Sequence, residues 1–107
     1  MKDDTIFIVT TMEKLEKDQN EIGWLKTGCT ARVGYFHDFL EAQLSVLCNM
    51  CDINETCYNY AVIEEMPAGL YPYGVNRWFY KFNYNKEVYE AIETPPFVHE
   101  CYVFSLR

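Results

Sequence analysis

The sequence contains no hydrophobic run long enough to cross a membrane, since no stretch approaches the ~20 apolar residues that a spanning helix needs. Residues 1–4 are charged, and the short apolar run after them lacks the small-residue cleavage site of a secretory signal. We therefore expect a cytoplasmic protein that does not bind membranes. Its five cysteines are then expected to be reduced, and an odd number cannot pair completely within one chain.

Basic residues are few. Nine Lys and Arg stand against 16 Asp and Glu, which gives a formal net charge of -7. This balance argues against direct binding to nucleic acid, which depends on Lys and Arg against phosphates. Two interpretations of the acidic surface remain open: it keeps the protein soluble, or it imitates nucleic acid and occupies a basic groove on another protein. The acids are scattered, apart from Glu64 and Glu65 and the set Glu87, Glu90 and Glu93.

Motifs for catalysis and for phosphate binding are missing. The sequence has no GxGxxG, no GxxxxGK[ST] and no GxSxG, so neither a glycine-rich phosphate loop nor a nucleophile elbow is predicted. Its two histidines, His37 and His99, lie in predicted loops with no partner marked by spacing. Glu64 and Glu65 are neighbours in a predicted strand and point to opposite faces, so they do not share a site. We expect no catalytic residue, and hence no enzyme.

The cysteine spacing Cys48-x2-Cys51-x5-Cys57 resembles a metal site only in part. Zinc sites usually present two ligand pairs, and here a second pair is missing unless His37 or His99 joins the cluster. A redox CxxC pair normally lies at the start of a helix, whereas Cys48 and Cys51 follow the end of one. We expect no metal and no cofactor, although the pattern alone leaves metal binding by these cysteines open.

The chain does have a high apolar and aromatic content: half of its 107 residues are hydrophobic, and 17% are aromatic. This composition argues against disorder and supports one core, so a single domain over residues 1–107 is predicted. The aromatic side chains either fill a small sheet core or form a recognition surface.

Runs of β-branched and aromatic residues predict the strands. These runs are residues 5–10, 27–36, 60–64, 77–82, 87–92 and 101–106. The first is apolar on both faces and is expected to be central, and the second should carry Ala31, Val33 and Tyr35 on one face. Residues 12–26 are predicted as a hairpin loop or a frayed helical turn, residues 49–59 as an irregular turn, and residues 66–74 and 83–86 as turns.

One helix is predicted after the second of these strands. Asp38 and Glu41 form a capping box, in which the Asp38 carboxylate accepts from the Glu41 N–H and Glu41 reaches back. The helix should run to about Asn49. An apolar stripe at helical spacing is expected to lie on the sheet; it consists of Phe39, Leu40, Gln43, Leu44, Val46 and Leu47. The predicted fold is α+β: a mostly antiparallel sheet in the order β-β-α-β-β-β, with one main helix on one face.

Residues 77–82 carry the most distinctive pattern for ligand binding. Alternation places Arg77, Phe79 and Lys81 on one face, with Trp78 on the other. Cations beside an aromatic ring can hold a phosphate while a base stacks, and Arg32 on the second predicted strand would add a further cation. The other interpretation is that these cations pair with neighbouring glutamates on a solvated face. The candidate ligand-binding residues are Arg32, Arg77, Trp78, Phe79 and Lys81.

Taken together, a set of short segments resembles a group of small uncharacterised proteins of Gram-positive bacteria, their prophages and their phages. These segments are RVGYF (32–36), DF (38–39), DINE (52–55), YNYAVIEE (58–65), GLYP (69–72) and WFYKF (78–82), within a resemblance over about residues 5–106. The group supplies no catalytic motif and no site residue. What the resemblance implies is a bacterial host cytoplasm and, by analogy with other small phage proteins, a role against host defence.

Three functions follow as hypotheses. The first is a homo-oligomeric, non-enzymatic sponge that sequesters a nucleotide-derived immune signal, with the pocket formed between protomers. The second is an acidic inhibitor that binds a host defence protein, as anti-CRISPR proteins do. The third is a structural or regulatory domain whose aromatic residues form only the core.

Overall fold

A five-stranded antiparallel sheet forms the centre of the protein, in the strand order β4-β1-β5-β6-β7. The computed structural model describes residues 5–17, 25–49, 59–66 and 76–95. The elements are β1 (Ile6–Met12), β2 (Glu16–Lys17), β3 (Leu25–Lys26), β4 (Thr30–Phe36), α1 (Phe39–Leu47), β5 (Tyr60–Met66), β6 (Arg77–Asn83) and β7 (Val88–Ile92). The α+β prediction is confirmed: the described residues contain one helix, and it packs on a mostly antiparallel sheet. No helix of this described part is long and apolar enough to cross a membrane.

The predicted strands agree with the observed ones to within a few residues. β1 has β4 on one side and β5 on the other, which confirms that it is an interior strand. The predicted second strand begins at Thr30 rather than at Thr27. Within residues 12–26, β2 and β3 pair as a short antiparallel ribbon, which favours the hairpin over the helical turn. The strand predicted at residues 101–106 and the turns at 50–58 and 67–74 lie outside the described residues.

The sheet is buried on both faces at its central strand, β5. Val62 and Ile63 are consecutive residues of β5 with opposite side-chain directions, and both are fully buried. On the helix side the core is formed by Val9, Ala42, Val46, Ala61, Ile63, Tyr80, Phe82 and Tyr89. On the other side, a smaller core contains Met12, Leu15, Val62 and Phe79. Many aromatic residues therefore serve the core, as the first interpretation of the composition holds.

Helix α1 begins as predicted but turns a different face to the sheet. The Asp38 carboxylate accepts from the Glu41 N–H at 3.3 Å, which confirms the cap; among the described contacts, no return bond from the Glu41 carboxylate forms. The buried side chains are Ala42, Ser45 and Val46. Of the predicted stripe, Phe39, Val46 and Leu47 do pack against the helix-side core. Leu40 and Leu44 are 62% and 56% exposed, so the prediction is wrong for these two leucines.

The helix is rotated because the space between it and the sheet is already occupied. Phe39 packs its ring 4.4 Å from the ring of Trp78, measured between centroids, and Tyr80 is buried beneath the helix. Small side chains such as Ala42 allow the helix to approach this aromatic layer closely, whereas leucines in the same positions would overfill it.

A β-bulge in β4 changes the alternation predicted there. Val9 pairs with Gly34 and Thr10 with Arg32, so Val33 is an extra residue that has no partner in the ladder. Val33 packs against the helix-side core, whereas Tyr35 is 64% exposed. The prediction that Ala31, Val33 and Tyr35 share one face is therefore wrong for Tyr35, because the inserted residue shifts the period by one.

Candidate functional site

A buried ion pair lies at the start of β6. Glu64 and Arg77 are directly opposite each other on β5 and β6, and the Arg77 Nε donates to the Glu64 Oε2 at 3.1 Å. Their side chains are 0% and 7% exposed. The neighbouring Glu65 points to the other face of the sheet, where it accepts from the Asn76 side-chain amide at 2.8 Å. The prediction that these adjacent glutamates face apart is confirmed.

The pair fixes the position of the arginine. A buried charge is tolerated only when it is paired and hydrogen-bonded, and Glu64 satisfies part of the guanidinium in this way. The same contact neutralises Arg77, so the site has less positive charge than the sequence alone implies. This is the pairing that the sequence left open as the alternative, although here it is buried rather than on a solvated face.

Beside Arg77 lies a cavity of about 310 Å³. It forms where β7 ends, because Ile92 pairs with Phe79 and the chain then leaves the sheet while β6 continues to Arg77. The cavity is lined by Gln43, Arg77, Trp78, Phe79, Tyr80, Ala91, Ile92, Glu93 and Thr94. Its wall is therefore mostly apolar and aromatic, with a few polar groups, as is typical of ligand pockets.

Packing and hydrogen bonding hold the aromatic part of this wall. The Trp78 ring lies 4.4 Å from that of Phe39 and 6.4 Å from that of Phe7, so its orientation is set by the helix and by β1. The Gln43 amide donates to the Tyr80 hydroxyl at 3.5 Å. Burial raises the pKa of Tyr80 and the Gln43 contact opposes this to a lesser degree, so the phenol stays neutral at physiological pH.

The structure brings three of the five predicted ligand-binding residues to the cavity: Arg77, Trp78 and Phe79. Phe79 is only 2% exposed, so it acts chiefly as part of the core. Lys81 and Arg32 do not line this cavity. Lys81 is exposed, with its Nζ 5.8 Å from the centre of the Tyr60 ring.

Arg32 is distant because of the strand order. It lies in the row of residues that runs across the sheet through Thr10 and Val62 to Phe79. Three strand spacings separate it from β6, which is about 14 Å. A single small ligand at the cavity therefore cannot contact Arg32 of the same chain.

Sequence reasoning missed two contributors to the cavity. Gln43 was assigned to the stripe that packs on the sheet, and the end of β7 with Glu93 and Thr94 was not considered. The signal for the second was Pro95, which cannot donate within a paired strand and lies three residues after the end of β7.

Metal ligation finds no support in the described part of the chain, where no group of three His, Cys, Asp or Glu side chains is placed to hold an ion. Cys48 is exposed at the end of α1, and His37 is exposed with its ring 5.9 Å from that of Tyr35. Cys51, Cys57 and His99 lie outside the described residues.

Comparison of this chain with protein-family models, with curated proteins and with solved structures finds no match.

Proposed function

We propose that this chain is a non-enzymatic binding protein that holds a small, planar, nucleotide-derived ligand in the cavity at the end of β7. The observation that carries the proposal is that Arg77 and Trp78, which point to opposite faces of β6, both line one open cavity at the edge of the sheet. The ring of the ligand would pack on the apolar wall. Gln43 and Tyr80 would hydrogen-bond its heteroatoms, and the guanidinium of Arg77 would face its anionic group.

The proposal includes a homo-oligomer because the cavity of one chain is small for a nucleotide-derived ligand. About 310 Å³ is at the lower end of the ~300–1,000 Å³ range of ligand pockets, so a larger ligand needs additional surface. A second copy of the chain would supply that surface, as in pockets formed between protomers. Arg32, which is too distant on the same protomer, would reach the ligand only from such a partner.

The resemblance to small phage and prophage proteins is the basis for the biological role that we propose. A protein that binds a nucleotide-derived immune signal tightly, and performs no chemistry on it, lowers the free concentration of that signal. The proposed role is therefore that of an anti-defence sponge in the cytoplasm of a bacterial host.

The proposal is tested by thermal unfolding of the purified protein with a panel of cyclic nucleotides and ADP-ribose-type nucleotides. A ligand that binds only the folded state stabilises it by about 2.7 kcal/mol at a concentration of 100 Kd, which raises the melting temperature. Arg77→Lys keeps a charge for Glu64 but loses the planar guanidinium, so it should weaken binding at least about tenfold. Gln43→Leu should weaken it as well.

Lys81→Gln is the matched control, because Lys81 is a neighbouring cation of the same strand that does not line the cavity. It should bind the ligand as the natural chain does. A melting profile that stays flat across the whole panel would reject the proposal, and so would a ligand that binds Arg77→Lys unchanged.

A further inference from the structure

The outer face of α1 carries an exposed apolar ridge. Leu40, Leu44 and Cys48 are each four residues apart, so they lie one above another on the same side of the helix. Leu40 and Leu44 are 62% and 56% exposed, and Cys48 is exposed at the helix end. We refer to these three residues as the leucine ridge. None of them lines the cavity beside Arg77.

The ridge is unusual because two of the helix's large apolar side chains face water while smaller side chains are buried. Ala42, Ser45 and Val46 face the core, while two leucines face water. Burial of a leucine stabilises a folded protein, yet two leucines of this nine-residue helix lie mostly outside the core. Single exposed leucines are common, but apolar anchors at a spacing of four are what a helix uses to dock into a groove of another protein.

Charges around the ridge indicate which partner fits. Asp38 and Glu41 are exposed at its start, and the last turn of the helix has no basic residue. Two-fold pairing with a second copy would place the two helices antiparallel, so that these acids would lie at the negative C-terminal end of the partner's helix. The last turn of that helix carries no cation to pair with them. Each copy also carries a net charge of -7. The surface is therefore complementary to a basic partner rather than to itself.

We propose that the leucine ridge is a docking surface for an apolar, Lys- and Arg-rimmed groove or helix of another protein. The leucines supply the apolar contact, and Asp38 and Glu41 pair with cations at its edge. This interaction is independent of ligand binding at the cavity, so either can exist without the other.

The test uses a fluorescein-labelled synthetic peptide that forms an amphipathic helix, with leucines on one face and lysines on the other. Anisotropy of the peptide is measured as the protein is added, at an ionic strength near 0.15 M, where exposed charges are well screened. We expect saturable one-to-one binding. The double variant Leu40→Ser/Leu44→Ser should weaken it at least about tenfold, and Glu41→Gln should weaken it about two- to fivefold.

Two controls separate the ridge from a general attraction of the acidic protein for the peptide. Tyr35→Ser removes an apolar side chain that is 64% exposed on β4, and Glu16→Gln removes an exposed charge on β2. Both should bind the peptide unchanged. The thermal midpoint of the Leu40→Ser/Leu44→Ser variant should lie only a few degrees below that of the natural chain, because both leucines mostly face water and serine has a slightly lower helix propensity than leucine.

Three outcomes would overturn the inference: no saturable binding by the natural chain, equal loss of binding in the Glu16→Gln and Glu41→Gln variants, or unchanged binding by the leucine variant. A fourth would overturn it in favour of a second copy of the chain. In that case light scattering would find a dimer of the natural protein that the leucine variant does not form.

Discussion

At the scale of single residues, the Glu64–Arg77 pair links stability to the candidate site. Both side chains are almost completely buried, and Arg77 also lines the cavity. Taking two charges out of water is unfavourable, and their mutual attraction offsets this only while both partners are present. A substitution made to test ligand binding at Arg77 therefore also tests the fold, which is why the conservative Arg77→Lys change is the right one for binding.

Removal of one partner should reveal this dependence. We expect Arg77→Met to lower the free energy of unfolding by about 3–5 kcal/mol, because it removes the Arg77 cation from beside the buried Glu64 carboxylate. The double variant Glu64→Leu/Arg77→Met should recover a large part of that loss, since no charge then remains buried. Urea denaturation followed by circular dichroism measures all three free energies.

The exposed ion pair of the β6–β7 hairpin provides the matched control. Lys86 and Glu90 approach to 3.4 Å, but their side chains are 69% and 48% exposed. Lys86→Met should therefore change stability by less than about 0.5 kcal/mol. If Arg77→Met changed stability as little as Lys86→Met does, the burial argument for the Glu64–Arg77 pair would fail.

At the scale of elements, the two described glycines differ in what a side chain would meet. Gly28 has a φ of 67°, and an added Cβ would collide with the Glu13 side chain. Gly34 lies in β4 next to the bulge, and an added Cβ there has nothing within 4 Å. Glycine weakens a strand because the unfolded chain has more conformations to lose.

Opposite effects are therefore expected from the same substitution. Gly34→Ala should stabilise the protein by about 0.5–1 kcal/mol, since it restricts the unfolded chain without a clash. Gly28→Ala should destabilise it by at least about 1 kcal/mol, because alanine rarely adopts a positive φ. Thermal melts of both variants measure these changes in stability. Stabilisation by Gly28→Ala would contradict the argument from the positive φ of Gly28.

Some features of the strands and the helix could be predicted from the sequence, and others could not. Strands and the start of α1 were predictable, because β-rich runs and the Asp38 cap are local signals. The rotation of α1 was not, because the sequence contains both a leucine stripe and a small-residue face, and only the aromatic layer around Trp78 selects between them. The bulge at Val33 has one local signal, the neighbouring Gly34, but a glycine within a strand does not show which residue is the extra one. Arg77 and Trp78 were found by alternation, but the burial of Arg77 against Glu64 depends on the order of the strands.

At the scale of the whole molecule, the two cores share the same sheet. Met12 belongs to one core and Ile63 to the other, yet β1 and β5 pair along their full length. Loss of either core exposes strands on which the other depends. The described part of the chain should therefore unfold as one cooperative unit rather than as two layers that separate.

Substitutions on the two faces test this cooperativity. Ile63→Val should lower the free energy of unfolding by about 0.5–1.5 kcal/mol and Met12→Ala by about 2–5 kcal/mol. The two side chains are three positions apart along paired strands, about 10 Å, and lie on opposite faces, so the double variant should show the sum to within about 0.5 kcal/mol. Circular dichroism and tryptophan fluorescence should give one shared transition in each variant, because a single two-state unit has a single midpoint. A Met12→Ala variant in which fluorescence and circular dichroism report different midpoints would mean that one core unfolds while the other persists.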